Sequence, residues 1–320
     1  MTVVFEKHVL GDSVLDKTRP EHPLVAGAPE GPDASGSGVL TTGGTADIRG
    51  RRRGSILLRR PGVIIALAVV AFVVISAIAP GLFATYDPTA TVPADRLQAP
   101  SLTHWFGTDD LGRDLYSRVV HGATLTIAAT SLAIGIALIA GLALGVVAGF
   151  VGGAADAVIM RVVDVFLAIP GLLLALAIVT ALGFGTIPVA VAVGIGIVPG
   201  FARTTRAEVL RVKTLPYIEA ARSGGASWGR ILFTHVLPNS WGPVAVLAVL
   251  DFGAAILAVA ALSFLGFGAA PPAAEWGTLI SNGRNFLITA PWVSLVPGLF
   301  VALVVLSLNH LAKSLEEVQR

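Results

Sequence analysis

The sequence contains no cysteine among its 320 residues. This absence excludes disulfide bonds, thiolate catalysis and metal sites with cysteine ligands. Charged residues are scarce too, because Asp, Glu, Lys and Arg make up only 13% of the chain, against about 25% in ordinary soluble domains. The sequence also lacks a phosphate-binding loop of the form GxxxxGK[ST], so we do not expect this chain to hydrolyse ATP itself.

Long apolar runs dominate what is present. The chain is 54% hydrophobic, with a mean hydropathy of +0.81. Several runs exceed about eighteen residues with almost no charge, which is long enough to cross a hydrocarbon core of about 30 Å. These runs do not alternate with a period of two, as the strands of a membrane barrel would. We therefore predict an all-α integral membrane protein.

Six apolar segments are predicted to cross the membrane. They lie at about 62–84, 120–150, 157–182, 187–210, 241–265 and 291–312. A block of arginines at 49–60 precedes the first segment, so the positive-inside rule places the N-terminus in the cytoplasm. Six crossings return the C-terminus to the same side. Residues 85–117 and 266–290 are then extracytoplasmic, and 211–240 are cytoplasmic.

The charge distribution supports this topology. Residues 203–230 contain six basic residues and two acids, whereas the 266–290 loop contains only Arg284 and Glu275. The net charge of +2 reflects these topogenic clusters, and we expect no nucleic-acid partner. Contact of the basic block with membrane lipid headgroups is left open.

The chain divides into three regions. Residues 1–60 form a cytoplasmic tail that ends in the basic block, and residues 1–48 within it are polar and rich in Gly, Ser, Thr and Pro. Such a composition cannot bury enough apolar area to fold, so we expect this tail to be largely disordered. Residues 61–313 form the transmembrane domain, and 314–320 form a cytoplasmic C-terminal tail.

A glycine stripe marks the second segment. Four glycines are spaced by four residues, at Gly141, Gly145, Gly149 and Gly153. On a helix this spacing makes one face that lets another backbone approach closely. We predict a packed helix–helix contact there, within this chain or with a partner.

The cytoplasmic stretch 217–239 reads YIEAARSGGASWGRILFTHVLPN. Residues 216–223 are predicted to form a helix of two turns that ends at the glycine pair Gly224-Gly225. Ser227 is a good N-cap for a second helix through Leu237, which Pro238-Asn239 should end. A helix of about 12 Å is too short to cross a membrane. It suits docking on a soluble partner, although a simple interfacial loop is the alternative.

Three stretches resemble permease subunits of ABC importers, in the second-subunit type of the peptide and nickel permease family. The first is the EAA motif, a pattern of EAA, three residues, Gly, and Leu-Pro twelve residues later. The other two are FGTDDLGRDLYSRVVHGA at 106–123 and LSFLGFGAAPPAAEWGTLISNGRNFLITAPW at 262–292. The residues that match the EAA motif are Glu219, Ala220, Ala221, Gly225, Leu237 and Pro238.

The resemblance implies the type I ABC importer permease fold, with six transmembrane helices and a cytoplasmic coupling helix in the EAA loop. In such importers two permease subunits form the pathway, two ATPase subunits use ATP and Mg, and an extracytoplasmic binding protein delivers the substrate. The permease itself is not an enzyme and binds no cofactor. The expected substrates are di- or oligopeptides. Alternatives are nickel, glutathione or another small solute, and a secondary transporter is a rival from another class.

The sequence departs from the family pattern in its fifth segment. Family members often carry an acid where Val259 stands, whereas this chain has Asp251 eight residues earlier. A carboxylate within a membrane segment is a functional candidate. Asp251 could face the pathway, pair with an arginine of the partner, or lie in interfacial water. Many peptide permeases also have Arg where Thr124 stands. These two departures weaken any inference from the family to the substrate contacts of this chain.

Polar residues cluster before the second segment, at His104, Asp109, Asp110 and Asp114. Their spacing fits no EF-hand, and we expect no metal site. Two i,i+4 pairs, Asp109–Arg113 and Asp114–Arg118, instead predict a helix on the outer surface.

Overall fold

A computed structural model describes residues 61–319. The predictions for the tail 1–60 and for Arg320 lie outside this range. The described chain is helical and contains no β-strand. Its main helices are α1 (Pro61–Ile78), α2 (Leu115–Val146), α3 (Gly153–Leu167), α4 (Gly171–Leu182), α5 (Thr186–Lys213), α6 (Pro216–Ser223), α7 (Trp228–Phe264), α8 (Trp276–Gly283) and α9 (Trp292–Gln319).

Five helical stretches are long and apolar enough to cross a membrane. They are α1, α2 with its π-helical extension Val147–Val151, α5, α7 and α9 as far as Ser314. The α3–α4 pair makes a sixth if it is counted as one bent span. All six predicted segments are therefore present, although the described part holds only five unbroken spans.

The third segment is not the single helix that we predicted. Its two halves, α3 and α4, meet at 92° across a short break. The break falls at Ala168–Pro170, because a proline lacks an N–H and disfavours helical geometry in the residue before it. Two ion pairs then join α3 to α5, at 2.5 Å from Arg206 to Asp156 and 2.5 Å from Arg203 to Asp164.

The predicted glycine face packs α2 against α5. Added methyl groups on Gly145 and Gly149 would lie only 2.5 Å from Thr205 Cβ and 2.8 Å from Val209 Cγ1. Gly141 is equally crowded by α5. The contact is thus within this chain. Gly153 does not belong to this face, because it begins α3 beyond the π-helical turn and has open space around its Cα.

The prediction of a surface helix at 109–118 was wrong. Helix α2 begins only at Leu115, and Asp114 caps it by accepting a hydrogen bond from the Ser117 amide at 2.8 Å. Asp109 and Arg113 do pair, at 2.7 Å, but in a buried turn before the helix. Asp114 pairs with His104 at 2.9 Å and not with Arg118. These charges hold together a folded loop before α2.

The loop at 266–290 also folds back into the protein. It contains α8, whose first residue Trp276 is fully buried and donates from Nε1 to the Val119 carbonyl at 2.9 Å. Glu275 is fully buried beside it and accepts bonds from Ser263 Oγ and the Ala269 amide, at 2.6 and 2.8 Å. Because this buried carboxylate is hydrogen-bonded, it fixes the loop on the end of α7.

Candidate functional site

The short helix α6 occupies the predicted residues 216–223. Pro216 occupies its first turn, where a missing N–H costs no hydrogen bond. At the other end Gly225 takes a positive φ of 83°. The amides of Gly225 and Ala226 donate to the carbonyls of Arg222 and Ala221, at 3.0 and 3.1 Å. This is the glycine-terminated cap of a Schellman motif, which stops the helix sharply.

Only one side chain of α6 is buried. Ile218 packs with Val209 and Val212 of α5 and with Ile231 and Val236 of α7. The other positions are exposed or partly exposed, including Glu219, Ala220 and Ala221. One apolar anchor therefore holds the helix on the ends of α5 and α7, and its remaining surface is available to another molecule.

A cluster of cations and aromatic rings fixes the orientation of α6. The Arg222 guanidinium lies 4.7 Å from the centre of the Trp228 ring. Trp228 makes an edge contact with Phe150 at 5.4 Å, and Lys213 donates to the Phe150 carbonyl at 2.7 Å. This cluster contacts α5, α6, α7 and the π-helical extension of α2, so α6 is held against three longer helices.

The second predicted helix does not end at Pro238-Asn239. Ser227 does cap it, accepting from the Arg230 amide at 3.4 Å, but the helix then continues as α7 to Phe264. Residues Ile231–Val236 form π-helical turns, and Pro238 lies in the first turn of the α-helix that follows. There its missing N–H breaks no α-helical bond. Leu237 is half-buried and Pro238 exposed, and the helix is continuous from Trp228 into the membrane-length span.

Glu219 projects from α6 with no hydrogen bond or ion pair to any residue of 61–319. Three aromatic side chains are exposed on the same part of the chain, namely Tyr217, Trp228 and Phe233. Exposed aromatic side chains are enriched in surfaces that bind partner proteins, so these three rings make this surface a candidate for such a contact.

Asp251 lies within α7, 14 residues after Leu237, or about 21 Å along the helix axis. It is therefore far from the end of the span that carries α6. Its side chain is partly buried and has no hydrogen bond or ion pair to the described residues. Val259, by contrast, is fully buried in an apolar cluster with Ala129, Val193 and Leu262. Thr124 is exposed.

No group of three or more His, Cys, Asp and Glu side chains comes together as a metal site between residues 61 and 319. His104 and Asp114 pair with each other, and Asp109 pairs with Arg113. Three of the four polar residues singled out in this loop are thus occupied in holding the loop together, and Asp110 is the exception.

The fold is similar to that of solved ABC transporter structures. Over 63% of this chain and 96% of the matched chain, it resembles the inward-facing MetNI methionine ABC transporter with a TM-score of 0.51 and 22% identity. A second crystal form of that transporter gives a TM-score of 0.52 and 21% identity. At this identity the likeness concerns the fold, which is the helical permease fold of type I ABC transporters.

The sequence is also similar to curated permeases and to a family model. It is 43% identical to the dipeptide transport system permease protein DppC of Alkalihalophilus pseudofirmus, over 78% of this chain and 82% of the relative. It is 42% identical to the glutathione transport system permease protein GsiD of Pectobacterium atrosepticum, over 72% and 77%. The family model described as binding-protein-dependent transport system inner membrane component matches residues 141–319. The chain belongs to this family of inner-membrane transport subunits.

Sequence reasoning missed two features of the site. The cluster around Trp228 was not predicted, although an arginine, a tryptophan and a lysine next to a short helix could have indicated it. The burial of Arg113 and Arg118, which are 6% and 1% exposed, was also missed. No local signal indicates this burial, because it depends on how α2 packs against the outer loops.

Proposed function

We propose that this chain is the second permease subunit of an ATP-driven importer of di- and oligopeptides. Its partners are another permease subunit, two ATP-binding subunits that use ATP and Mg, and an extracytoplasmic substrate-binding protein. The observation that carries the substrate class is the 43% identity to a dipeptide permease over most of both chains. The probable D,D-dipeptide permease DdpC of Escherichia coli, at 42% identity, supports the same class.

Helix α6 is the proposed contact with an ATP-binding subunit. It presents Glu219, Ala220 and Ala221 on its accessible surface. Gly225 ends the helix on its C-terminal side, and the Leu237-Pro238 pair lies further along the chain, in the first α-helical turn after the π-helical part of α7. Small alanines permit close approach of a partner, and the rigid attachment to α5 and α7 transmits its movement as a rigid-body shift of membrane helices.

The proposed orientation places α6 and both chain termini in the cytoplasm. Six basic residues lie on or beside the ends of α5, α6 and α7, in accord with the positive-inside rule; they are Arg203, Arg206, Arg211, Lys213, Arg222 and Arg230. The loops at 85–117 and 266–290 then face the binding protein. Residues 1–60 and 314–320 are the cytoplasmic ends of this arrangement.

A glutathione importer is the second candidate, because several similar permeases bear that name at 42% identity. The test is uptake by the complete importer, reconstituted in proteoliposomes with its binding protein. Radiolabelled dialanine, trialanine, glutathione and nickel ion are compared, with ATP or a non-hydrolysable analogue inside. ATP-dependent uptake of the alanine peptides supports the proposal. Uptake of glutathione alone or nickel alone would replace the peptide assignment with that substrate. ATP-independent uptake would indicate a secondary transporter.

A further inference from the structure

A cavity of about 610 Å³ opens at the end of the protein opposite α6. Its walls come from the loop before α2, the turn between α4 and α5, the end of α7 and the 266–290 loop. Aromatic side chains contribute at Phe184 and Phe286, and hydroxyl and amide groups contribute at Thr278 and Asn282. This volume lies within the range of about 300–1,000 Å³ that small-molecule sites occupy.

The cavity walls carry an excess of positive charge. Arg113, Arg118 and Arg284 line it, against the single carboxylate of Asp110. Arg113 is neutralised by Asp109 at 2.7 Å. Arg284 is exposed and makes no hydrogen bond or ion pair with any residue that the structure describes, and Asp110 has no such partner there either. One cation and one anion in the same cavity are therefore free to bind a ligand.

Arg118 contributes a buried positive charge to the cavity wall. It is only 1% exposed, and its Nη1 donates to the Pro88 carbonyl at 2.8 Å. Its Nε makes no hydrogen bond, although Asp109 Oδ2 lies 3.5 Å away. A buried donor without an acceptor costs stability. Nε itself has almost no accessible surface, so an anionic group in the cavity would be attracted by the buried positive charge of Arg118, and guanidinium groups are well suited to a carboxylate.

We propose that this cavity binds a small zwitterionic peptide before it enters the pathway. The C-terminal carboxylate lies against Arg118 and Arg284, and the ammonium group lies towards Asp110. Phe184 and Phe286 provide apolar surface for side chains of varied shape. The proposal rests on the assignment of the chain to a peptide importer and on an extracytoplasmic position of this end.

Direct binding to the complete importer complex in nanodiscs, without the binding protein, tests the site. The probes are dialanine and its C-terminal amide, observed by saturation-transfer NMR, and trialanine and its amide replace them if only trialanine is imported. Wild-type complex should bind the free peptide about tenfold more tightly than the amide, as expected for loss of a charge-assisted hydrogen bond. Arg284→Gln should weaken binding of the free peptide by about the same factor.

Three further variants make the result specific. Arg284→Lys keeps the charge and should weaken binding less than Arg284→Gln does. Asp110→Asn should weaken binding of both probes, because both carry the ammonium group. Arg96→Gln is the matched control, since Arg96 is an exposed arginine of the same outer region that does not line the cavity; it should bind like wild type.

Several outcomes would overturn the proposal. Equal binding of peptide and amide, or Arg284→Gln behaving like Arg96→Gln, would remove the carboxylate site. So would a complex that imports the peptide but shows no direct binding. If Arg284→Gln lowers stimulation of ATP hydrolysis by the binding protein without changing peptide binding, the residue serves docking instead. In each of these cases intact peptide uptake would leave the proposed function standing. If the wild-type complex imports no peptide, the proposed function is wrong, whatever the result for the cavity.

Discussion

Gly145→Ala tests the close contact between α2 and α5. The added methyl carbon would lie 2.5 Å from Thr205 Cβ, 2.6 Å from the Ala202 carbonyl oxygen and 2.9 Å from the Arg206 amide nitrogen. Ordinary carbon contacts need about 3.5–4.0 Å, so the helices must separate by about 1 Å. Two of the three neighbours are backbone atoms, which cannot move by side-chain rotation. Overpacking of this kind costs about 1–3 kcal/mol.

Gly135→Ala is the matched control for that variant. Gly135 lies in the same helix, but an added methyl group there would meet no atom of another element within 4 Å. Both substitutions gain about 1 kcal/mol of helix propensity, so the difference between them isolates the crowding. Because about 1 kcal/mol shifts Tm by about 2–4 °C in chains of 150–250 residues, Gly145→Ala should melt up to about 12 °C below Gly135→Ala. Equal melting temperatures of the two assembled complexes in detergent would refute the packing argument.

Three other predictions follow from the structure and the proposed function. Trp228→Ala should lower the ratio of uptake to ATP hydrolysis, because it removes the ring under Arg222. The lost cation–π contact contributes about 0.5–2 kcal/mol. An unchanged ratio would contradict a role of this contact in coupling. Deleting residues 1–48 should preserve topology and uptake, so a large loss of uptake at normal protein level would reveal a function of the tail. Asp251→Asn should weaken assembly of the permease pair if this carboxylate pairs with a partner cation, and complex yield measures it; abolished uptake with intact assembly would instead place it in the pathway.

The local chemistry of α6 could be predicted from the sequence alone. A proline in the first turn and a glycine pair after residue 223 define both ends of the helix, and the observed bounds agree with the prediction. The glycine face of α2 was predictable for a similar reason, because a spacing of four residues selects one side of a helix. Features that depend on residues close in the sequence could therefore be predicted from the sequence alone.

Prolines in the apolar segments show which features the sequence alone does not predict. Pro199, Pro243 and Pro297 lie inside helices that continue through them, whereas the chain bends by 92° at the break that contains Pro170. Membrane helices tolerate a proline when other groups satisfy the freed carbonyl. Tertiary packing decides whether such groups are present, and the pattern of apolar residues in the sequence does not predict that packing.

The loops at 85–117 and 266–290 differ from the prediction for a related reason. Charged residues in a polar stretch indicate a solvated surface, yet Asp109 and Arg118 are 4% and 1% exposed. Their burial follows from the folding of two separate loops over the ends of α2 and α7. The candidate cavity is built from residues more than 170 positions apart, from Asp110 to Phe286, so no local pattern could predict it.

Glu219→Lys tests the central claim that α6 couples this permease to an ATP-binding subunit. The side chain is exposed and unpaired within residues 61–319, so the change should leave insertion and folding intact. Reversing a charge at a docking surface adds repulsion to a lost attraction, and Glu219→Gln, which only removes the charge, should have a smaller effect. The measurement is substrate-stimulated ATP hydrolysis together with uptake in the reconstituted importer. We predict that both fall severalfold in Glu219→Lys at normal complex yield; wild-type values of both would contradict the coupling role of α6.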